Sequence, residues 1–187
     1  MSRRHCVLDA ERIERILTRI THEILERNKR SDTLVLVAIR RGGEAVGRRI
    51  AEKLRSIESA NIPLGFLDIT LYRDDLSRIA EYPVVRRTEI PFTIEGKDVI
   101  LVDDVLFTGR TIRAALGGIM EFGRPRTIQL AVLVDRGHRE LPIRADYVGR
   151  NIPTSRHERV DVNLSADGAG DCVEIANAEG GDDAREE

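Results

Sequence analysis

Residues 99–111 read Val99-Ile100-Leu101-Val102-Asp103-Asp104-Val105-Leu106-Phe107-Thr108-Gly109-Arg110-Thr111. An apolar run ends in two adjacent carboxylates. Shortly after them a Thr-Gly-Arg-Thr turn opens what reads as a helix over about 110–122, ended by Gly123-Arg124-Pro125. A continuous apolar run without alternation is expected of a strand buried on both faces. A helix N-terminus presents unpaired N–H groups and the positive end of its dipole. Gly109 lets the backbone approach closely, and Thr108 and Thr111 add hydroxyl donors, so the turn is a cradle for an anion. Carboxylates repel phosphate, so Asp103 and Asp104 should face something else, and a cis-diol suits them because one carboxylate accepts two hydrogen bonds. The stretch therefore describes a site for a ribose 5-phosphate. The competing reading is a buried strand, a polar turn and a capped helix with no ligand. Apolar strands ending in acids also occur in Walker B segments and receiver domains. No G-x-x-x-x-G-K-[ST] occurs, however, since Gly96-Lys97 is followed by Asp98, and the lysine a receiver domain needs late in the fold is missing after Lys97.

Working outward, Thr33–Ile39 is a second apolar run, broken by Gly42-Gly43 before a helix over about 44–56. Upstream, 9–28 reads as an amphipathic helix with Asp9 as N-cap. Ile13, Leu17, Ile20 and Ile24 form its apolar stripe, and Arg15, Thr18, Arg19 and His22 share the opposite face. A strand is predicted over 63–72. Residues 73–90 are polar, with Arg73, Asp74, Asp75, Arg78, Arg86, Arg87 and Pro83, and a loop of that length in a compact domain is either functional or disordered. Thr127–Val134 predicts another strand and 135–159 a loop-rich stretch. Val160–Leu164 and Cys172–Ile175 could pair as a hairpin across Asp167-Gly168-Ala169-Gly170. Strand–helix–strand units imply an α/β fold with a mostly parallel sheet, whose ligands bind outside the carboxyl ends of the strands.

A length of 187 residues, 33% charged and 41% hydrophobic, suits one globular domain with one sizeable core. No apolar run approaches the roughly 18 residues of a membrane span. Arg3-Arg4 lack a following apolar segment, because Asp9, Glu11 and Arg12 come at once, so a secretory signal is not expected. Cys6 and Cys172 stand at opposite ends of the chain and form no C-x-x-C. Neither a disulfide framework nor a zinc site is expected, and a reducing cytoplasm fits. The net charge of -2 is uneven: Glu179, Asp182, Asp183, Glu186 and Glu187 oppose only Arg185 in 177–187, which reads as an acidic disordered tail. The remaining body is mildly basic, which permits an anionic ligand or nucleic acid without demanding either.

Segment 99–111 resembles the phosphoribosyl pyrophosphate (PRPP) motif of type I phosphoribosyltransferases. Further stretches resemble the PyrR family, bifunctional pyrimidine operon regulators with uracil phosphoribosyltransferase activity. They are Leu17-Thr18-Arg19-Ile20 with His22-Glu23 and Glu26-Arg27-Asn28, the string Asp68 to Leu76, and the string Val134 to Arg144. The last continues through Asp146-Tyr147-Val148-Gly149 to Asn151-Ile152-Pro153-Thr154-Ser155, so the likeness spans most of 9–155. It implies a type I phosphoribosyltransferase fold. A mostly parallel central sheet is flanked by helices, with a small hood from the N- and C-terminal segments, in a single domain over 1–176.

The resemblance also implies a division of labour. Asp103 and Asp104 contact the ribose hydroxyls, and Val105, Leu106, Phe107, Thr108, Gly109, Arg110 and Thr111 surround the 5-phosphate. Ile39, Arg40, Arg41, Gly42 and Gly43 form the pyrophosphate loop, with Arg40 or Arg41 and Mg²⁺ carried by PRPP neutralising the leaving group. A flap over about 72–90, beginning at Tyr72, Arg73 and Asp74, closes on the substrate. Val134, Asp135, Arg136, Gly137 and His138 belong to the pocket for uracil; from the residues alone, 135–138 could equally be a tight turn with a solvent ion pair. The family commonly has Thr-Arg-Gly where this chain has Arg41-Gly42-Gly43, so the positive charge moves by one position. Implied partners are PRPP, uracil, UMP and a pyrimidine-operon leader RNA, in a homodimer or higher homo-oligomer. RNA would meet Arg15, Thr18, Arg19, His22, Arg27, His138, Arg144 and Arg150, although that face could also be merely solvated or a subunit contact. Alternatives are a phosphoribosyltransferase for a purine or orotate, and an RNA-binding UMP sensor with little catalysis.

Overall fold

The computed structural model describes residues 4–29, 31–58, 61–73, 87–165 and 168–177. Five strands form a parallel sheet: β2 Leu34–Ile39, β3 Leu64–Leu67, β4 Asp98–Leu106, β5 Thr127–Asp135 and β6 Tyr147–Asn151, in the order β3-β2-β4-β5-β6. Alternation explains the continuous apolar runs. In β2, Leu34, Leu36 and Ala38 enter one core layer while Val35, Val37 and Ile39 enter the other. Val99 and Leu101 of β4 likewise face away from Ile100 and Val102. The first layer is covered by α1 (Ala10–Arg27) and α2 (Gly42–Glu58), the second by α3 (Arg110–Met120). Helix α1 starts as its sequence predicts: the Asp9 side chain accepts from Arg12 N–H, and Ile13, Leu17, Ile20 and Ile24 are buried.

Strands β7 (Glu158–Asn163) and β8 (Cys172–Asn177) pair as the expected hairpin. They are joined by β1 (His5–Asp9), antiparallel to β8, giving a three-stranded hood in the order β1-β8-β7. Sequence reading did not anticipate β1, because one short strand before a strong helix carries no periodic signal. Nor did it find β6, which lies in the stretch read as loop; its exposed Arg150 and Asn151 hide its edge position. The strand expected over 63–72 stops at Leu67 and gives way to a 3₁₀ turn at Thr70–Tyr72, where Asp68 accepts from Thr70 N–H. Asp74–Arg86 of the expected flap, Asp167 of the hairpin turn and residues 178–187 of the expected tail lie outside the described residues; Asn177 ends β8. Among the described residues no helix is long and apolar enough to cross a membrane.

Candidate active site

Parallel pairing sets the carboxyl ends of β2, β4 and β5 side by side, with Val105 opposite Val134 and Leu106 opposite Asp135. The acid pair, the α3 turn and the 134–138 segment therefore meet at one edge. Asp103 is buried; its Oδ1 accepts from Asp104 N–H at 3.0 Å, and Asp104 Oδ1 accepts from Val105 N–H at 2.7 Å. Among the described residues neither acid has an ion-pair partner. Burial, then the charge of Asp104, pushes the Asp103 carboxyl well above the usual carboxylate range. Burial also raises Asp104, against the N–H groups it accepts from. Strongly perturbed acids of this kind cluster at functional sites, which makes the pair a candidate for one.

The start of α2 is laid directly against this pair. A Cβ on Gly42 would overlap the Asp104 carboxylate, and one on Gly43 would overlap the Val102 carbonyl. The Asp104 side chain thus takes up the space that a larger residue at 42 would claim, which gives the Arg-to-Gly departure from the family pattern a physical counterpart. The two arginines just before it differ. Arg40 is half-buried, bonded to Glu44 (3.4 Å), Glu89 (3.1 Å) and the Arg87 carbonyl (2.8 Å), and stacked on Phe66. It is committed to the β3 edge. Arg41 is exposed, makes no ion pair among the described residues, and sits at a left-handed φ of 77° that a non-glycine residue adopts only under local constraint. Of the two candidates for the leaving group, Arg41 remains available.

The turn expected to hold phosphate lines a cavity of about 330 Å³ together with Arg73 and Glu140. Gly109, at φ 92°, caps α3, and Thr108 Oγ1 accepts from Arg110 N–H at 3.3 Å. Two contacts surround this turn. The Arg110 side chain pairs with Glu140 (2.6 Å), and both residues line the cavity. Tyr72 donates its hydroxyl to Glu121 (2.7 Å), and its carbonyl accepts from Arg113, which ties Tyr72, where the flap is expected to begin, to α3.

The segment 134–138 is held by residues that sequence reading did not single out. Arg139 donates to the carbonyls of Phe107 (2.7 Å), Gly137 (3.1 Å) and Ile143 (3.0 Å) and pairs with Asp135. Glu140 and Leu141 N–H groups donate to the Thr108 carbonyl. One guanidinium thus ties the end of β5 to the entrance of the phosphate turn. Burial raises the Asp135 carboxyl, but the Arg139 hydrogen bond, the Gly137 N–H and the Arg139 charge outweigh it and leave Asp135 below its ordinary value. Arg136 is buried over the Phe107 ring at 4.0 Å and donates to Thr154 and Ser155, and that burial lowers its pKa. His138, at φ 59°, points Nε2 at the Thr154 carbonyl 2.5 Å away and meets Phe107 edge-on, so Nε2 carries the donated proton. The segment is a tight turn after β5, as the alternative reading had it, but its Asp135–Arg139 ion pair is largely withdrawn from solvent. The signal for Arg139 was present in Arg-Glu after Gly-His, but its partners are carbonyls, which no side-chain pattern displays.

Arg15, Arg19 and Arg150 come together, with the unforeseen Arg12, around a hollow of about 460 Å³ between α1, β1 and β6. Arg19 donates to the Val148 and Gly149 carbonyls and pairs with Glu23; Arg15 pairs with Glu11. Arg27 lies at the far end of α1, bonded to Asp146 at 2.7 Å. His22 and Arg144 are exposed, and Thr18 is bonded to the Glu14 carbonyl. His138 is occupied by Thr154.

Comparison with known proteins agrees with this geometry. The phosphoribosyl transferase domain family matches residues 6–166. A protein of Pelotomaculum thermopropionicum named bifunctional protein PyrR is 59% identical over 174 residues, covering 92% of this chain and 96% of that one. The bifunctional protein PyrR of Deinococcus radiodurans is 54% identical over 173 residues, covering 92% and 94%. A solved hypoxanthine phosphoribosyltransferase from Staphylococcus aureus superposes with a TM-score of 0.63 at 22% identity, over 81% of this chain and 79% of that one, a likeness of fold alone.

Proposed function

This chain belongs to the PyrR family of phosphoribosyltransferases, and from that premise we propose that it converts uracil and PRPP to UMP and pyrophosphate. The observation that carries the reading is the pair of buried Asp103 and half-buried Asp104 on β4, without an ion-pair partner among the described residues, beside the glycine-capped turn Thr108–Thr111. In the proposed reaction N1 of uracil bonds to C1 of the ribose as the bond from C1 to pyrophosphate breaks, and the N1 proton passes to solvent. Such a transfer asks the protein for position and electrostatics more than for covalent chemistry. Asp103 and Asp104 grip the ribose hydroxyls and favour positive charge on the sugar as the leaving group departs. The turn from Phe107 to Thr111 holds the 5-phosphate with N–H and hydroxyl groups. The loop from Ile39 to Gly43 receives pyrophosphate, with Arg41 as its cation. Val134–His138, stiffened by Arg139 and Arg136, form the wall against which uracil is read. The flap rooted at Tyr72 and Arg73 excludes water. Magnesium keeps several waters and binds substrate phosphates; brought in with PRPP, the ion would neutralise the leaving pyrophosphate together with Arg41.

Incubation of the chain with uracil, PRPP and Mg²⁺ should yield UMP. Conversion of hypoxanthine or orotate in place of uracil would reassign the base.

A second activity is supported by the arginines around the α1–β6 hollow: UMP-dependent binding of a pyrimidine-operon leader RNA, as a transcription attenuator. Phosphate contacts make such binding steeply salt-dependent. A gel shift with leader RNA should tighten with UMP and weaken with salt, and no shift at low salt would remove this activity. UMP binding without turnover would favour the sensor alternative.

A further inference from the structure

The two cysteines at opposite ends of the chain, 166 positions apart, are neighbours in space. Cys172 Sγ lies 2.8 Å from Cys6 Sγ, a separation between that of non-bonded sulfurs and the about 2.05 Å of a disulfide. Both are free thiols. The hood explains the meeting. Strands β1 and β8 are antiparallel neighbours in which Cys6 pairs with Glu174, and Cys172 follows on the same face two residues away. A register shift between Cys6 and Leu8 marks a bulge, which sharpens the local twist and alters how the diagonal pair approaches. Leu8 and Val173 take the inward positions, so the sulfurs stand on the outer side of the hood: Cys6 is exposed and Cys172 partly so. Cys6 Sγ also reaches the Leu8 carbonyl at 3.3 Å, which fixes its rotamer towards the bulge.

We propose that Cys6 and Cys172 are a redox modification site, a vicinal dithiol that a small-molecule disulfide of the glutathione class converts reversibly to an intrachain bridge. Cys6 is the entry thiol. It gives its proton to solvent, and its thiolate attacks one sulfur of the small disulfide, expelling one small thiolate. Cys172 then gives its proton to that thiolate and attacks the Cys6 sulfur, expelling the second, which takes a proton from solvent. Two protein thiols and one small disulfide become one protein disulfide and two small thiols, with two electrons passing to the reagent. The roles follow from exposure. Burial, then the contact with Cys6, pushes the Cys172 thiol up to about 12, so it keeps its proton until the mixed disulfide brings an electrophilic sulfur against it. The bridge joins the first strand to the last and encloses nearly the whole domain in one covalent ring. These are the only two cysteines in the sequence, so the intrachain product is unique.

The test is equilibration of the full chain in oxidised and reduced glutathione at several ratios, followed by acid quench, alkylation and mass spectrometry. The expected product has lost two hydrogen atoms, yields one peptide pair linking Cys6 to Cys172, and reverts with dithiothreitol. Cys6→Ser and Cys172→Ser should each stop short of it, Cys172→Ser accumulating the glutathione adduct at Cys6. Wild-type chain that carries stable glutathione adducts, forms only disulfide-linked dimers, or stays reduced at the most oxidising ratio overturns the proposal.

Discussion

At the amino end of β4, Asp98 is buried among donors: Arg126 through two nitrogens, Thr127 Oγ1 at 2.8 Å and Thr33 Oγ1 at 2.9 Å. At the carboxyl end of the same strand, buried Asp103 and half-buried Asp104 have only backbone N–H groups and each other among the described residues. The Arg126 hydrogen bond leads the contacts that hold Asp98 down at about 2 despite its burial, whereas burial drives Asp103 and Asp104 up. Cations are not lacking at the upper end. Arg139 and Arg136 stand there, but they are spent on carbonyls, Asp135 and the Phe107 ring. One strand therefore carries an acid whose charge is satisfied within the fold and a pair that no cation among the described residues satisfies.

The largest effect should come from removing the unsatisfied charge where it serves the reaction. Asp104→Asn keeps the side-chain shape and should lower the rate of UMP formation by ~10² or more, as loss of a transition-state contact does. Near-normal turnover in a steady-state assay would break the assignment of this end to the ribose. Arg139→Ala comes next. It strips the Phe107 and Ile143 carbonyls and Asp135 of their shared donor, and should cost about 2–3 kcal/mol in urea unfolding with a ~10-fold lower kcat/KM. If stability fell while kcat/KM held, Arg139 would be a scaffold element only.

Asp98→Asn tests the other end. An acid held below its unfolded value contributes stability that is complete above about pH 4 and lost as pH falls through about 2. The variant should be less stable by about 2 kcal/mol at neutral pH, and the gap should close on acidification across that window, with activity per folded molecule unchanged. A gap independent of pH would mean that shape, not charge, holds Asp98 in place.

How much of this was readable beforehand follows from the kind of interaction involved. The apolar runs of β2, β4 and β5, the stripe of α1 and the Thr-Gly turn announce themselves because burial on two faces and helix capping write directly into residue type. The acid pair was legible for the same reason: nothing apolar explains two carboxylates at the end of a buried strand. Strand β1 was not legible, since its partner β8 stands at the other end of the chain, and β6 was not, because a short edge strand with exposed Arg150 and Asn151 carries no apolar run. The separate fates of Arg40 and Arg41 were hidden too, because Phe66 and Glu89, which claim Arg40, lie more than twenty residues away. Cys6 and Cys172 show the limit most plainly: the ends of a chain can be adjacent in a sheet, and spacing along the sequence says nothing of it.

The smallest expected effect has the opposite sign from the others and bears most directly on the contrast within β4. Asp103 holds its proton more tightly when folded than when unfolded, because burial and Asp104 disfavour its charge. Such a group favours the fold at low pH and loses that contribution as pH rises from the unfolded value through the raised folded one. Asp103→Asn replaces it with a neutral group of the same shape, so the ligand-free variant should unfold at a higher Tm than the wild type at pH 8. The gain should shrink as the buffer is made acidic, where the wild-type carboxyl is already protonated. Calorimetry at several pH values would read both trends, and a variant less stable than the wild type at pH 8 would show that this carboxylate, like Asp98, is held by the fold rather than kept for a ligand. A stabilised variant that makes little UMP would show the two ends of one strand under opposing demands: the lower acid retained because it strengthens the sheet, the upper one although it weakens it.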